Sequence, residues 1–186
     1  KGGGYWVWKP YLIWKTLQDY PDGTKVFYMD SGCSVHPGND WYIYLEELDK
    51  YSTLLFQYAA NIPSWKKYTP DGSSAIEVWT KKKTLDFFDS YLGTSDYHRF
   101  SKIEGGYIFC KGKNNPFIKE WLDITLTHPE LVMEPGEDEL KDQYRAFCGL
   151  HRHDQSIITP IAYKYKETNI IHVSPDVFDE NPISLI

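Results

Sequence analysis

No stretch of this chain approaches the roughly 20 consecutive apolar residues that a membrane helix needs. Its opening, Lys-Gly-Gly-Gly-Tyr-Trp, lacks the apolar core of a secretory signal. A basic excess is missing too. The formal net charge is −6, which argues against a nucleic-acid binder and against adsorption to anionic membrane by charge alone. Cysteine is scarce and odd in number: Cys33, Cys110 and Cys148, widely spaced and with no CxxC pair. Neither a zinc knuckle nor a dithiol redox motif is indicated, and free thiols point to a reducing, cytoplasmic setting. GxSxG, HExxH and paired Cys–His patterns are absent, so hydrolase and protease readings have no motif behind them. Repeats and low-complexity segments are absent as well.

What the chain does have is rings. Aromatics make up 17 % of its 186 residues, with seven Trp and 15 Tyr. Most such rings serve a core. Some fit a sugar site, because a pyranose face stacks on an aromatic ring whose polar tip can bond a hydroxyl. Length, 41 % hydrophobic and 25 % charged residues are ordinary for one soluble domain.

Periodicity predicts an α/β order. Residues 9–20 read as a helix, with Pro10 in the first turn and Ile13, Leu17 and Tyr20 on one face. A Pro-Asp-Gly turn follows at residues 21–24. Residues 25–30 then form a short buried strand ending in Asp30, followed by Ser31-Gly32. A helix is expected to about residue 50, a strand at 53–59, a long loop at 61–74, and a helix at 83–92 stopped by Gly93. Further expectations are a strand from 105 to 110, a helix opening at Asn115-Pro116, an acidic exposed stretch at 130–141, a helix at 154–165 and a strand at 168–173. The tail beyond Ser174 reads as irregular.

Four groups of residues are candidates for chemistry. Asp30 follows an apolar strand and precedes Ser-Gly, where backbone can approach a ligand. Ligands of open α/β sheets sit beyond the carboxyl ends of strands, and a strand-end carboxylate there can hold a divalent cation against a diphosphate. An ordinary turn role is the alternative. Asp154 either caps the next helix or orients and deprotonates an acceptor hydroxyl, with Arg152 or His153 near phosphate. His172 ends the last strand, as an edge histidine or as a second metal ligand. The Gly2–Gly4 run with Tyr5, Trp6, Trp8 and Lys9 lacks the spacing of a phosphate loop, yet suits close approach to a ligand. Lys9 there can meet a diphosphate.

Three motifs in order carry a resemblance. They are Gly-Tyr-Trp-Val-Trp-Lys-Pro-Tyr-Leu-Ile from Gly4, Val-Phe-Tyr-Met-Asp-Ser-Gly-Cys from Val26, and His-Asp-Gln-Ser-Ile from His153. From about Gly3 to His172 the chain resembles polysaccharide glycosyltransferases of bacteria and large DNA viruses, including the glycosyltransferase domains of algal viruses. The first two motifs together are the more specific. The resemblance implies a GT-A-like nucleotide-diphospho-sugar transferase fold, with a mixed central sheet flanked by helices in a single domain spanning residues 1–186. It implies a UDP-sugar donor, a glycan or glycoprotein acceptor, and Mn²⁺ or Mg²⁺. If the protein is viral, its compartment is the host cytoplasm.

In that reading Asp30 matches the first acid of the Asp-x-Asp motif and binds metal, and His172 supplies another ligand. Asp154 and Gln155 match the acidic-Gln pair at the transferred sugar. Tyr5, Trp8, Lys9, Asp30, Ser31 and Gly32 hold the donor. Two departures stand out. Gly32 replaces the second acid, and the chain begins after the βα unit that would hold the base. A non-catalytic carbohydrate-binding domain, or an assembly domain with a degenerate site, is the alternative.

Overall fold

The computed structural model describes residues 2–69, 71–143 and 146–173. Its helices are α1 (Gly2–Tyr5), α2 (Trp8–Asp19), α3 (Asp40–Lys50), α4 (Lys82–Leu92), α5 (Pro116–Thr127), α6 (Glu137–Lys141) and α7 (Gln155–Lys164). The strands are β1 (Lys25–Met29), β2 (Thr53–Gln57), β3 (Tyr107–Lys111) and β4 (Ile170–Val173). They form one sheet in the order β1-β3-β2-β4. β3 runs antiparallel to both β1 and β2, and β4 runs parallel to β2. Three strands therefore end at the same edge, and β3 begins there.

Alternation along the strands divides the core in two. On one face Tyr28, Leu55, Ile108 and Cys110 pack with Ile13 and Leu17 of α2, Ile118 and Trp121 of α5, and Ile157 and Ile161 of α7. On the other, Leu54, Phe56, Tyr107 and Phe109 pack with Leu48 of α3. Each large side chain fully buried in these layers contributes roughly 1.5–3 kcal/mol relative to exposure. The result is a single small domain, a mixed four-stranded sheet flanked by helices.

Most boundaries fall within a residue or two of expectation. β1 stops at Met29, leaving Asp30 as the first residue beyond it. Asn115 caps α5 by accepting the Ile118 amide at 3.0 Å, as an Asn before Pro at the first helical position should. Three expectations change. The segment 61–74 is not an open loop: it holds a 3₁₀ turn, Pro63–Lys67, and closes on itself where Asn61 pairs with Ser73. Gly72 permits this closure at φ 69°, since a Cβ there would stand 2.1 Å from the Ile62 carbonyl oxygen. The acidic stretch is not wholly exposed: Leu131 and Val132 are buried within it. The predicted strand at 105–110 begins at Tyr107, because the two glycines lead into the sheet edge instead. The tail after Val173 lies outside the described residues.

Candidate functional site

A cavity of about 240 Å³ opens at the edge where β1 and β2 end and β3 begins. The segment before β3 builds its floor. It continues the sheet's pairing: Tyr58 donates its amide to the Lys102 carbonyl at 3.1 Å, Glu104 to Phe56 at 2.7 Å and Asp30 to Gly106 at 2.7 Å. Extended backbone alternates its side chains, so Lys102 and Glu104 line the cavity while Ile103 between them lies fully in the core. Gly105 and Gly106 keep the space open. A Cβ on Gly105 would stand 3.0 Å from Asp154 Oδ2, and one on Gly106 would stand 3.0 Å from Glu104 Oε1 and 3.7 Å from Asp30 Oδ2.

The first turn of α2 delivers the central charge. Lys9 is 2 % exposed, and its ammonium donates to the Gly105 carbonyl at 2.8 Å and to Asp30 Oδ2 at 3.3 Å. It also pairs with Asp154 Oδ2 at 2.9 Å. Asp30 Oδ1 takes a short hydrogen bond from the Tyr28 hydroxyl. Asp154 holds the N-cap position of α7, yet its side chain makes no capping bond. It turns to Lys9 instead, so the capping alternative for its side chain fails.

Backbone strain gathers at the same place. Among the described residues, the non-glycine residues with positive φ are Tyr5 (59°), Trp6 (60°) and His153 (46°). They touch: the His153 ring lies 5.2 Å from that of Tyr5 and 5.3 Å from that of Trp6. Left-handed backbone costs roughly 1–2 kcal/mol at a non-glycine residue, and such outliers cluster at binding sites. Here they curl the chain from Gly3 through Trp6, setting Trp6 and His153 in the cavity wall beside Lys9.

Burial sets the proton affinities. It pushes Glu104 up to about 7 against the hydrogen bond from the Gly106 amide, with Asp154 adding to the rise and Lys9 opposing it. Burial likewise raises Asp154, and Lys9 holds it back. Burial and the neighbouring Arg152 lower Lys102 well below the usual lysine range. A carboxyl titrating near neutrality inside a cleft has the protonation behaviour that acid–base chemistry uses.

The structure brings Lys9, Asp30, Asp154 and Gln155 into one cavity wall. Gln155 accepts a hydrogen bond from Lys102 at 3.2 Å. Tyr5 backs the wall through His153. Trp8 lies outside it, 41 % exposed and edge-on to Tyr28. Ser31 and Gly32 form the exposed turn closed by the Cys33 amide on the Asp30 carbonyl at 2.9 Å.

His172 is not brought to Asp30. It sits on β4 opposite Phe56, at the far side of the sheet from β1, and bonds Glu47 at 2.7 Å. Its ring neighbours Tyr44 and Phe56 belong to the opposite core layer, so it cannot share an ion with Asp30. His151, two residues before His153, faces away from the cavity. It bonds the Leu131 carbonyl at 2.9 Å in the core, and burial lowers it to about 3.

Sequence reasoning missed Glu104, Lys102, Tyr58 and Trp65. For Glu104 a signal existed: an acid directly before Gly-Gly at a strand entrance parallels Asp30 before Ser-Gly.

Among the described residues no cluster of three or more His, Cys, Asp or Glu is arranged to hold a metal ion. Asp30 and Glu104 nonetheless border the same space beside Gly106. One or two carboxylates, completed by substrate phosphates and water, are what Mg²⁺ commonly uses. No helix among the described residues is long and apolar enough to cross a membrane. No protein-family model, curated protein or solved structure matches the chain.

Proposed function

We propose that the protein transfers a sugar from a UDP-sugar to a hydroxyl of a glycan or glycoprotein acceptor, on a GT-A-type core. The observation that supports this most is the meeting of the three motifs at one ammonium. Asp30 of the second and Asp154 of the third each bring a carboxylate oxygen within 3.3 Å of Lys9 Nζ of the first. They do so beyond the carboxyl ends of β1 and β2, where α/β sheets bind ligands.

In this reading Asp30, with Glu104 beside it, holds Mn²⁺ or Mg²⁺ arriving with the diphosphate. The bound ion would neutralise charge on the leaving diphosphate. Trp8, edge-on to Tyr28, and the Ser31-Gly32 turn that follows Asp30 would meet the nucleotide outside the cavity. Asp154 and Gln155 face the transferred sugar. The bond from the acceptor oxygen to the anomeric carbon forms as the bond to the diphosphate breaks, with the electron pair leaving on the diphosphate. Asp154, whose proton affinity burial raises, takes the acceptor's proton.

Calorimetric titration with UDP, with and without Mn²⁺, tests the reading. Wild type should bind UDP more tightly with Mn²⁺, and Asp30→Ala should lose that gain. Asp154→Asn should keep it while transfer to an acceptor slows by roughly 10²–10⁴-fold. Metal-independent UDP binding that Asp30→Ala leaves untouched would sink the mechanism. Glycan binding with no nucleotide binding at all would favour a carbohydrate-binding domain instead.

A further inference from the structure

The end of the cavity away from Asp30 has a different character. Lys102 is 2 % exposed, and its ammonium lies 3.9 Å from the Tyr58 ring centre, 4.3 Å from that of Trp65 and 5.0 Å from that of Trp79. The Arg152 guanidinium lies 4.7 Å from the Trp79 ring. Tyr58, Trp65, Lys102, Arg152 and Gln155 all line the cavity. Among the described residues Lys102 and Arg152 have no carboxylate within 4 Å, although Lys9 a short way along the wall has two. Among the described residues Arg152 Nε is buried with no hydrogen-bond partner. An unpaired buried donor on a cation is costly, and ring faces offset only part of that cost.

We propose that this end of the cavity binds an acidic sugar of the acceptor glycan, a uronic acid whose carboxylate meets Arg152 and Lys102 and whose ring lies against Trp65 and Tyr58. The inference deepens the transferase reading above and rests on it for the word acceptor. Two observations select the ligand. A free phosphate would use the cations but has no apolar face for the rings. A neutral sugar would use the rings, and its hydroxyls can accept from Arg152, but it brings no opposite charge to the two cations. A uronate presents both chemistries on one small body, and a carboxylate is the planar partner that a guanidinium fork binds best. The cavity's volume of about 240 Å³, shared with the Lys9 and Asp30 end, falls just below the ~300 Å³ at which small-molecule sites usually begin, so it takes only part of a longer ligand.

The test is calorimetric titration of the whole chain with methyl β-glucuronide, methyl β-glucoside and inorganic phosphate. Arg152→Gln, Lys102→Met and Trp65→Ala are compared with wild type after circular dichroism confirms folding. The glucuronide should bind at least tenfold more tightly than the glucoside. Arg152→Gln and Lys102→Met should erase that difference, and Trp65→Ala should weaken both sugars. Equal affinity for the two sugars overturns the proposal. So does phosphate binding as tightly as glucuronide with Trp65→Ala without effect, which marks a phosphate site. UDP–Mn²⁺ binding measured on the same samples separates the two readings. Nucleotide binding without glucuronide preference removes only this inference, and glucuronide preference without nucleotide binding removes the transferase.

Discussion

Lys9 and Lys102 are equally buried and line one cavity, yet their surroundings differ in kind. Two carboxylates and a carbonyl surround Lys9. Three aromatic rings, one amide oxygen and a neighbouring guanidinium surround Lys102. A buried charge needs a partner of opposite sign or it gives up its proton. Lys9 has its partners within the fold, so it acts as a fixed counter-ion that holds Asp30 and Asp154 in place. Among the described residues Lys102 has none, and burial with Arg152 nearby drives its proton affinity down. The same residue type at the same depth thus does two jobs, one structural and one receptive.

That contrast has measurable consequences. Lys9→Met should cost about 3–5 kcal/mol in urea unfolding, because it leaves Asp154 buried without its cation. A loss under about 1 kcal/mol would mean that Asp154 is protonated or solvated and that Lys9 is no counter-ion.

The acid between the two lysines comes next. Glu104 titrates at about 7 in the folded chain against an ordinary 4.5. Between those values the folded state holds a proton that the unfolded state has released, so stability should fall as pH rises through that window. Glu104→Gln should flatten this fall, worth on the order of 3 kcal/mol. Urea midpoints of wild type and variant at about pH 5 and about pH 8 measure it.

Lys102→Met should cost less than about 1.5 kcal/mol or stabilise the fold, since among the described residues no carboxylate loses its partner and a thioether packs well among rings. A loss as large as that of Lys9→Met would erase the distinction between the two sites. The smallest effect is expected at His172→Ala. Its pair with Glu47 is partly exposed and should contribute at most about 1 kcal/mol, with Mn²⁺-dependent UDP binding unchanged. Loss of that binding would return His172 to the metal site despite its place across the sheet.

Much of the fold was legible locally. The run before Asp30, the Pro10 and Gly93 helix ends and the Ile158, Ile161, Ala162 face of α7 are signals of period 2 or 3.6, written in neighbouring residues. They placed Asp30 at a strand end and Asp154 at a helix start, so half of the cavity wall was readable. His172 was misjudged for a related reason. Strand-end position is local, but strand order is not, and β4 joined beside β2 on the edge opposite β1.

The sequence by itself determined the alternation of elements, the ends at which acids fall and the abundance of rings, because each depends on steric and periodic preferences of residues close in the chain. Only the tertiary structure decided that Lys9 reaches Asp154, that the segment before β3 turns Lys102 and Glu104 toward the cavity while Ile103 enters the core, and that Trp65 covers Lys102. Those outcomes depend on strand pairing between distant segments and on the depth to which each charge is buried. Neither quantity is encoded in the spacing of neighbouring residues.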